Sequence, residues 1–389
     1  MTEREAEVKT QELGEIIKPI VPDGTIKDLV WRQYGLRVKH WVELNSYDDK
    51  NYHVIAEDQS DNPYITEVSS NGYVLKVLNS LESKRPVVID AQHSLMEHLS
   101  KRGIKTQEVI KNKDGKSMSL EKIYSDDKNQ DGNAKFGTYV VRMLSYIPGE
   151  IVHVMPYVPL TFYNIGKFVA SMHNAIEGFH HDFYETYNTL WSLKEIERLK
   201  EFVFVLKNPE DHRVVTEIIQ AFTDHVKPIY DRFSEGIIHG DLNEQNILVD
   251  ELPNQDTLPK NERACEVRGI LDFADVTKSY KIFDVAIAIS YLSIECKLID
   301  QRDVGGHFLA GYLAERDLNE DERQALRVCV CARLIQSLVL GAYSHHLDPS
   351  NTYVLTTSAM GWPLLHKLWK TSEQELYKRW NDIIKNYAS

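Results

Sequence analysis

The segment LRVKHWVEL, Leu36–Leu44, alternates apolar and polar positions well enough for a strand, since successive strand side chains face opposite sides of a sheet. NSYDDKN interrupts it with turn formers, and YHVIAE resumes the alternation. SSNG followed by YVLKV repeats the turn-then-strand pattern. The period then changes in RPVVIDAQHSLMEHLSKRG, where Val88, Ala91, Leu95 and Leu99 recur on one face at helical spacing. Pro86 suits the first turn of that helix, and Gly103 falls just past its end. From about residue 105 to 148 strands return, with KDGK as a tight turn and SDDKNQDGNAKFG as a polar loop. The first third therefore reads as sheet with one prominent helix.

After Ile147–Gly149 the texture turns helical. LTFYNIGKFVASMHNAIEGF places Ile165, Phe168, Val169, Met172 and Ile176 on one face, with Thr161 as the expected N-cap. LKEIERLKEFVFVL and RVVTEIIQAFTDHVKPIYDRF continue as helices. Two short strands follow in GIIHGDLNEQNILVD and GILDF, separated by a polar surface loop, and the remainder returns to helix. The predicted architecture is α+β and bilobal. A small antiparallel β-sheet lobe with one helix spans residues 1–145, a larger mainly helical lobe spans 146–389, and Tyr146–Gly149 is the hinge.

Composition narrows the partners. Of 389 residues 42% are hydrophobic and 26% charged, enough for a sizeable core. The formal net charge of -13 argues against nucleic acid, which requires a basic face, and suits a cationic small molecule. Four cysteines make no disulfide framework, and Cys329 and Cys331 sit in an apolar run as core residues. The N-terminus lacks the apolar stretch of a signal peptide, and VAIAISYLSI is too short to span a bilayer. A cytosolic chain without a membrane partner is the expectation.

IIHGDLNEQNILVD sets a polar turn between two apolar strand ends, which mounts its side chains on rigid walls. Phosphoryl transfer from a nucleotide needs a group to orient the attacking hydroxyl, oxygen ligands for a metal, and a cation for the phosphates. Asp241 lies on the turn and is the candidate base. Asn246, five residues on, and Asp272, ending the next strand, offer an amide oxygen and a carboxylate for Mg²⁺. Lys76, flanked by apolar residues in YVLKV, would need an anionic partner if it faced inward. His239 reads as structural, and Asp284 in IFDVA as a helix N-cap.

H-G-D-x-x-x-x-N followed by a strand and D-F-x-D resembles the aminoglycoside phosphotransferase and choline kinase-like group of small-molecule kinases, which share the protein-kinase fold. The resemblance runs nearly end to end, through YVLKV, the hinge LSYIPG and GILDFADV. LNSYDDKNYHV, HGDLNEQNIL, VGGHFLAGY and QSLVLGAYSHHLDPSN resemble the branch acting on 5-hydroxy-L-lysine, which implies GTP as donor. The resemblance implies that Asp241 deprotonates the substrate hydroxyl and that Asn246 and Asp272 hold Mg²⁺. It implies that Lys76 meets the phosphates, that Ser46 and Tyr47 lie over them, and that backbone around Leu144 to Tyr146 reads the purine. The lysine's usual glutamate is absent: Gln92 stands at its place, with Asp90 and Glu97 as other partners if the helix is rotated.

Substrate contacts are less defined. Asp275 is either structural or meets a substrate ammonium. Arg333, in an apolar helix, either forks onto a substrate carboxylate or makes an internal salt bridge, and Tyr343 follows on the same helix. ATP as donor stays open, as does homoserine, choline, ethanolamine or an aminoglycoside as acceptor. A nucleotide-binding pseudokinase is the non-enzyme alternative.

Overall fold

A computed structural model of the chain describes residues 17–46, 48–128, 134–347, 349 and 357–388. They divide into two compact units, one within Met1–Glu97 and Thr106–Pro148, the other comprising His98–Lys105 and the chain from Gly149 onward.

The first unit is an antiparallel sheet. β1 (Leu36–Leu44), β2 (Lys50–Ser60) and β3 (Tyr73–Val77) fall where the alternation predicts them, followed by β4 (Val109–Ile110), β5 (Ser119–Lys128) and β6 (Ala134–Ser145). The strand order is β1-β2-β3-β6-β4, with β5 also on β6. The helix α2 (Pro86–Ser100) buries Val88, Ala91, Leu95 and Leu99, as its period requires. A further helix, α1 (Asp23–Tyr34), escaped the sequence reading. Its signal is present: Ile26, Leu29, Val30 and Tyr34 keep helical spacing, and Gly35 closes it with a left-handed φ of 61°. Those four side chains are buried against Leu36, Tyr52, Val54, Leu75 and Met143 of the sheet. The burial explains why so short a helix persists, since isolated helices of this length are marginal in water.

The second unit opens with β7 (Glu150–Ile151) and α3 (Pro159–Ile176). Thr161 is not the N-cap of α3. Val158 holds that position with Pro159 behind it, and the Thr161 hydroxyl instead accepts the backbone N–H of Cys265 at 3.1 Å. After α4 (Phe183–Thr186), the segment expected as one helix is 3₁₀ turns over Leu193–Glu201 and Val203–Val205. α5 (Pro209–Ala221) runs into a π turn and a 3₁₀ turn. The strands β8 (Glu235–Ile238), β9 (Ile247–Glu251), β10 (Cys265–Ile270) and β11 (Thr277–Tyr280) form two small antiparallel ladders, β10-β9-β7 and β11-β8. α6 (Lys281–Glu295), α7 (Val304–Leu313), α8 (Glu320–Leu347), α9 (Ser358–Lys370) and α10 (Glu373–Ala388) complete the unit. α8 is long and apolar enough to cross a membrane, but 83% of its apolar window is buried within the protein. Cys329 and Cys331, on that helix, are fully buried core residues.

Candidate active site

The turn between β8 and β9 carries Asp241, and its backbone is held from below. Gly240 has a φ of 82°, and a Cβ there would collide with the backbone carbonyl of Asp275, so only glycine fits. Asp284, fully buried in α6, accepts the backbone N–H of His239 and of Gly240, each at 2.8 Å, and pairs with His173 Nε2 at 3.1 Å. This corrects the expectation of an N-cap: Tyr280 precedes α6, with no side-chain cap, and Asp284 braces the turn that carries Asp241. Burial alone would raise the Asp284 carboxyl, but His173, His239 and the Gly240 N–H bring it below its ordinary value. His239 is structural, as expected. Its Nε2 meets the Leu271 carbonyl at 3.0 Å and its Nδ1 meets the Asp241 N–H at 3.3 Å.

The Asp241 side chain is 22% exposed, and both of its oxygens are engaged. Oδ1 accepts from Arg333 Nη2 at 3.0 Å. Oδ2 accepts from Asn243 Nδ2 at 2.7 Å and from Asn246 Nδ2 at 2.9 Å. Burial raises the Asp241 carboxyl above its ordinary value, with Arg333 and His239 opposing and Asp272 adding to the rise. A carboxylate has about four lone-pair sites, so three donors leave room for a hydroxyl. The guanidinium and the two amides hold the carboxylate in one orientation. That suits a reaction in which orienting the hydroxyl matters more than early proton removal.

Arg333 on α8 is 2% exposed and fixed from several sides. Its Nη1 donates to the Trp191 carbonyl at 3.0 Å and to Gln336 at 3.1 Å, and its guanidinium carbon lies 5.3 Å from the ring centroids of Trp191 and of Tyr291. The fork that could have met a substrate carboxylate is thus spent on the protein. The internal salt bridge is the outcome, and its partner is the Asp241 carboxylate. Tyr343 does not join this group. It lies ten residues further along α8, about 15 Å by helical rise, with its ring against Phe202 and Phe204.

Asn246 spends its amide nitrogen on the carbonyl and carboxylate of Asp241, which leaves its oxygen as the atom offered to a cation. Its own carbonyl accepts the N–H of Leu271, which sets Asp272 beside it. Asp272 has a φ of 56°, rare for a residue with a side chain and a mark of functional sites, and its Oδ1 accepts the Ala274 N–H at 3.3 Å. An amide oxygen with a carboxylate is an all-oxygen donor set that fits a hard cation such as Mg²⁺. Asp275 is half-buried, and its charge acts on Arg333.

In the first unit Lys76 is 6% exposed and lies opposite Asn51 on β2 and Arg142 on β6, so it is buried in the sheet. Gln92 does not take the glutamate's part. It is 1% exposed, and neither end of its amide finds a hydrogen bond among the described residues. Asp90 and Glu97 are exposed. Ser46 shapes the turn between β1 and β2: its hydroxyl accepts the Asp49 N–H and its carbonyl accepts Lys18. Tyr47 lies outside the described residues. The backbone expected to read a purine is largely engaged already. Leu144 pairs with Val74 and Val109, and the N–H groups of Ser145 and Tyr146 bind the carbonyls of Glu108 and Gly72. The Tyr146 ring stacks on His53 at 3.8 Å.

Trp191, Tyr291, Asn243, Gln336 and His173 were not foreseen. Asn243 stands in the motif and could have been: its Oδ1 accepts the N–H groups of Gln245 and Asn246, which shapes the turn. The others have no local signal, because Arg333 and Trp191 are 142 positions apart.

The described geometry has counterparts in known proteins. Residues 50–326 match the model of a phosphotransferase enzyme family. The chain is 34% identical to the hydroxylysine kinase of Bos taurus over 97% of each protein. Among solved structures, an amicoumacin kinase in complex with AMP-PNP, Ca²⁺ and Ami superposes with a TM-score of 0.61 at 16% identity, over 89% of this chain and 92% of that one. A microcompartment-associated aminopropanol kinase gives the same TM-score and identity, over 91% of this chain and 100% of that one. At such identities these two likenesses establish the fold, that of the protein-kinase-like phosphotransferases.

Proposed function

The chain belongs to the phosphotransferase enzyme family, with hydroxylysine kinases among its relatives, and we propose that it transfers the γ-phosphate of GTP to the hydroxyl of 5-hydroxy-L-lysine. That it is a small-molecule kinase acting on a hydroxyl acceptor follows from the family. The choice of acceptor rests on one observation, the likeness to a hydroxylysine kinase over nearly the full length of both chains.

On this reading Asp241 receives the acceptor hydroxyl, keeps it oriented while the phosphoryl group departs from the nucleotide, and takes its proton. Arg333, Asn243 and Asn246 hold the carboxylate still, so little freedom remains to be lost when substrate arrives. Asn246 and Asp272 would hold Mg²⁺, which would neutralise charge on the phosphates. Lys76 supplies a further cation for the donor. The protein acts in the cytosol.

The test is nucleotide turnover with Mg²⁺, GTP against ATP, with 5-hydroxy-L-lysine and L-lysine as paired acceptors. Turnover with GTP and hydroxylysine but not lysine supports the reading. Turnover only with homoserine, choline, ethanolamine or an aminoglycoside replaces the acceptor. No acceptor-dependent turnover with any of them returns the chain to a nucleotide-binding role.

A further inference from the structure

Three residues after Asp241, on the same turn, stands Glu244. Its Oε2 is sealed from solvent and finds no hydrogen-bond partner among the described residues. Glu295, the last residue of α6, and His153, just after β7, approach it. One oxygen or ring nitrogen of each of the three lies within 4.8 Å of the others. The His153 N–H binds the Glu244 carbonyl at 3.1 Å and ties the two segments together.

A fourth group, a buried phenol, is under the influence of both carboxylates. Tyr157 is 7% exposed, and its phenol oxygen has no partner among the described residues. Burial raises the Tyr157 hydroxyl first, and the charges of Glu244 and Glu295 raise it further, so the phenol lies in their field. The charges that act on Glu244 itself, Glu295 and Asp241, are both negative. Two carboxylates stand together beside a buried phenol, and the basic group near them, the half-exposed His153 ring, is 3.9 Å from Glu295 on the solvent side, while the Gln245 amide and a backbone N–H oppose the rise of Glu244. Leaving such groups unmatched is costly, so a cation from outside is the natural complement.

We propose that Glu244, Glu295 and Tyr157 form the site for the ammonium group of the acceptor, the amine next to the phosphorylated hydroxyl. An ammonium offers three N–H donors, for which two carboxylates and a phenol are suitable acceptors. A metal ion is the less suitable occupant. The His153 ring is 43% exposed, stands 3.9 Å from Glu295, and has no hydrogen bond orienting it among the described residues, whereas a ligating histidine is normally held by one. The site makes the enzyme select alcohols bearing an amine, and it agrees with the acidic balance of the chain. The inference rests on the reading of the chain as a kinase for an amino alcohol.

The experiment compares wild type, Glu295→Gln and Tyr157→Phe on 5-hydroxy-L-lysine and on 5-hydroxynorleucine, which keeps the hydroxyl but lacks the side-chain ammonium. Glu295→Gln is expected to raise the hydroxylysine KM about 10- to 100-fold, the range for losing a hydrogen-bonded charge, with kcat and nucleotide KM changed less than about threefold. On 5-hydroxynorleucine it is expected to change nothing, and Tyr157→Phe is expected to follow the same pattern with a smaller rise. An unchanged hydroxylysine KM, or an equal rise for both acceptors, overturns the site. If wild type turns over no amino alcohol, the proposed function fails, and calorimetry with propane-1,3-diamine decides the site by itself. Binding by wild type that Glu295→Gln abolishes supports it; no binding refutes it. Mn²⁺ bound by wild type and by Asp272→Ala, but not by Glu295→Gln, identifies a metal site instead.

Discussion

Replacing Arg333 by Met removes one partner of a nearly buried ion pair and leaves the Asp241 carboxylate with its two amide donors alone. With charge centres about 4 Å apart and an effective dielectric of about 20, the lost attraction is about 4 kcal/mol. Breaking a buried pair from one side costs about 3–5 kcal/mol, because the remaining charge stays desolvated. The 22% exposure of the Asp241 side chain lets it turn partly to water, which puts the expected loss at the lower end, about 3 kcal/mol. In an Asp241→Asn background no carboxylate is stranded, and the same Arg333→Met change should cost about 1 kcal/mol or less, leaving a coupling of about 2 kcal/mol. Urea unfolding of wild type, both single variants and the double variant measures this cycle without any knowledge of the substrate. A coupling below about 0.5 kcal/mol would refute the claim that Arg333 acts on Asp241. Turnover of Arg333→Met should fall about 10²- to 10³-fold, each decade being about 1.4 kcal/mol of barrier. Arg333→Lys should recover little, since one ammonium cannot reach Asp241 while holding the Trp191 carbonyl and Gln336.

Asp241→Asn should lower turnover by about 10²- to 10⁴-fold while nucleotide binding survives, and wild-type-like turnover would remove Asp241 from its role. Asp272→Ala should abolish Mg²⁺-dependent nucleotide binding, and an unchanged affinity in a magnesium titration would count against Asp272 as a ligand. His93 is 8% exposed with both ring nitrogens unpartnered among the described residues, and burial, helped by Arg142, depresses it from 6.5 to about 3. A depressed folded-state value means that the unfolded chain takes up the proton first, so stability is lost as pH falls below about 6.5 and on toward 3. At pH 5 the loss is about 2 kcal/mol, so His93→Phe should narrow the gap between the urea midpoints at pH 7 and pH 5, and an identical gap would contradict the neutral buried imidazole.

What the sequence determined by itself was everything that depends on neighbours along the chain. Strands β1 to β3 follow from alternation, α2 from its helical period, and the turn HGDLNEQN from polar residues set between apolar strand ends. Asp241, Asn246 and Asp272 could be named because motif spacing is local, and α1 could have been named on the same grounds. What only the tertiary structure decided is how those groups are held. Asp284 resembled a helix cap because its own segment offers that role, yet its partners come from His173, 111 positions away, and from the turn at His239 and Gly240. Arg333 left two readings open, a substrate ligand or half of an internal salt bridge, because nothing near it in sequence carries a negative charge, and its partner lies 92 positions upstream. Gln92 resembled a lysine partner by place, but its amide is buried with no hydrogen bond among the described residues. A polar group's role depends on which charges, carbonyls and rings surround it once water is excluded, and folding brings that surrounding together from distant parts of the chain, where periodicity and turn chemistry carry no information.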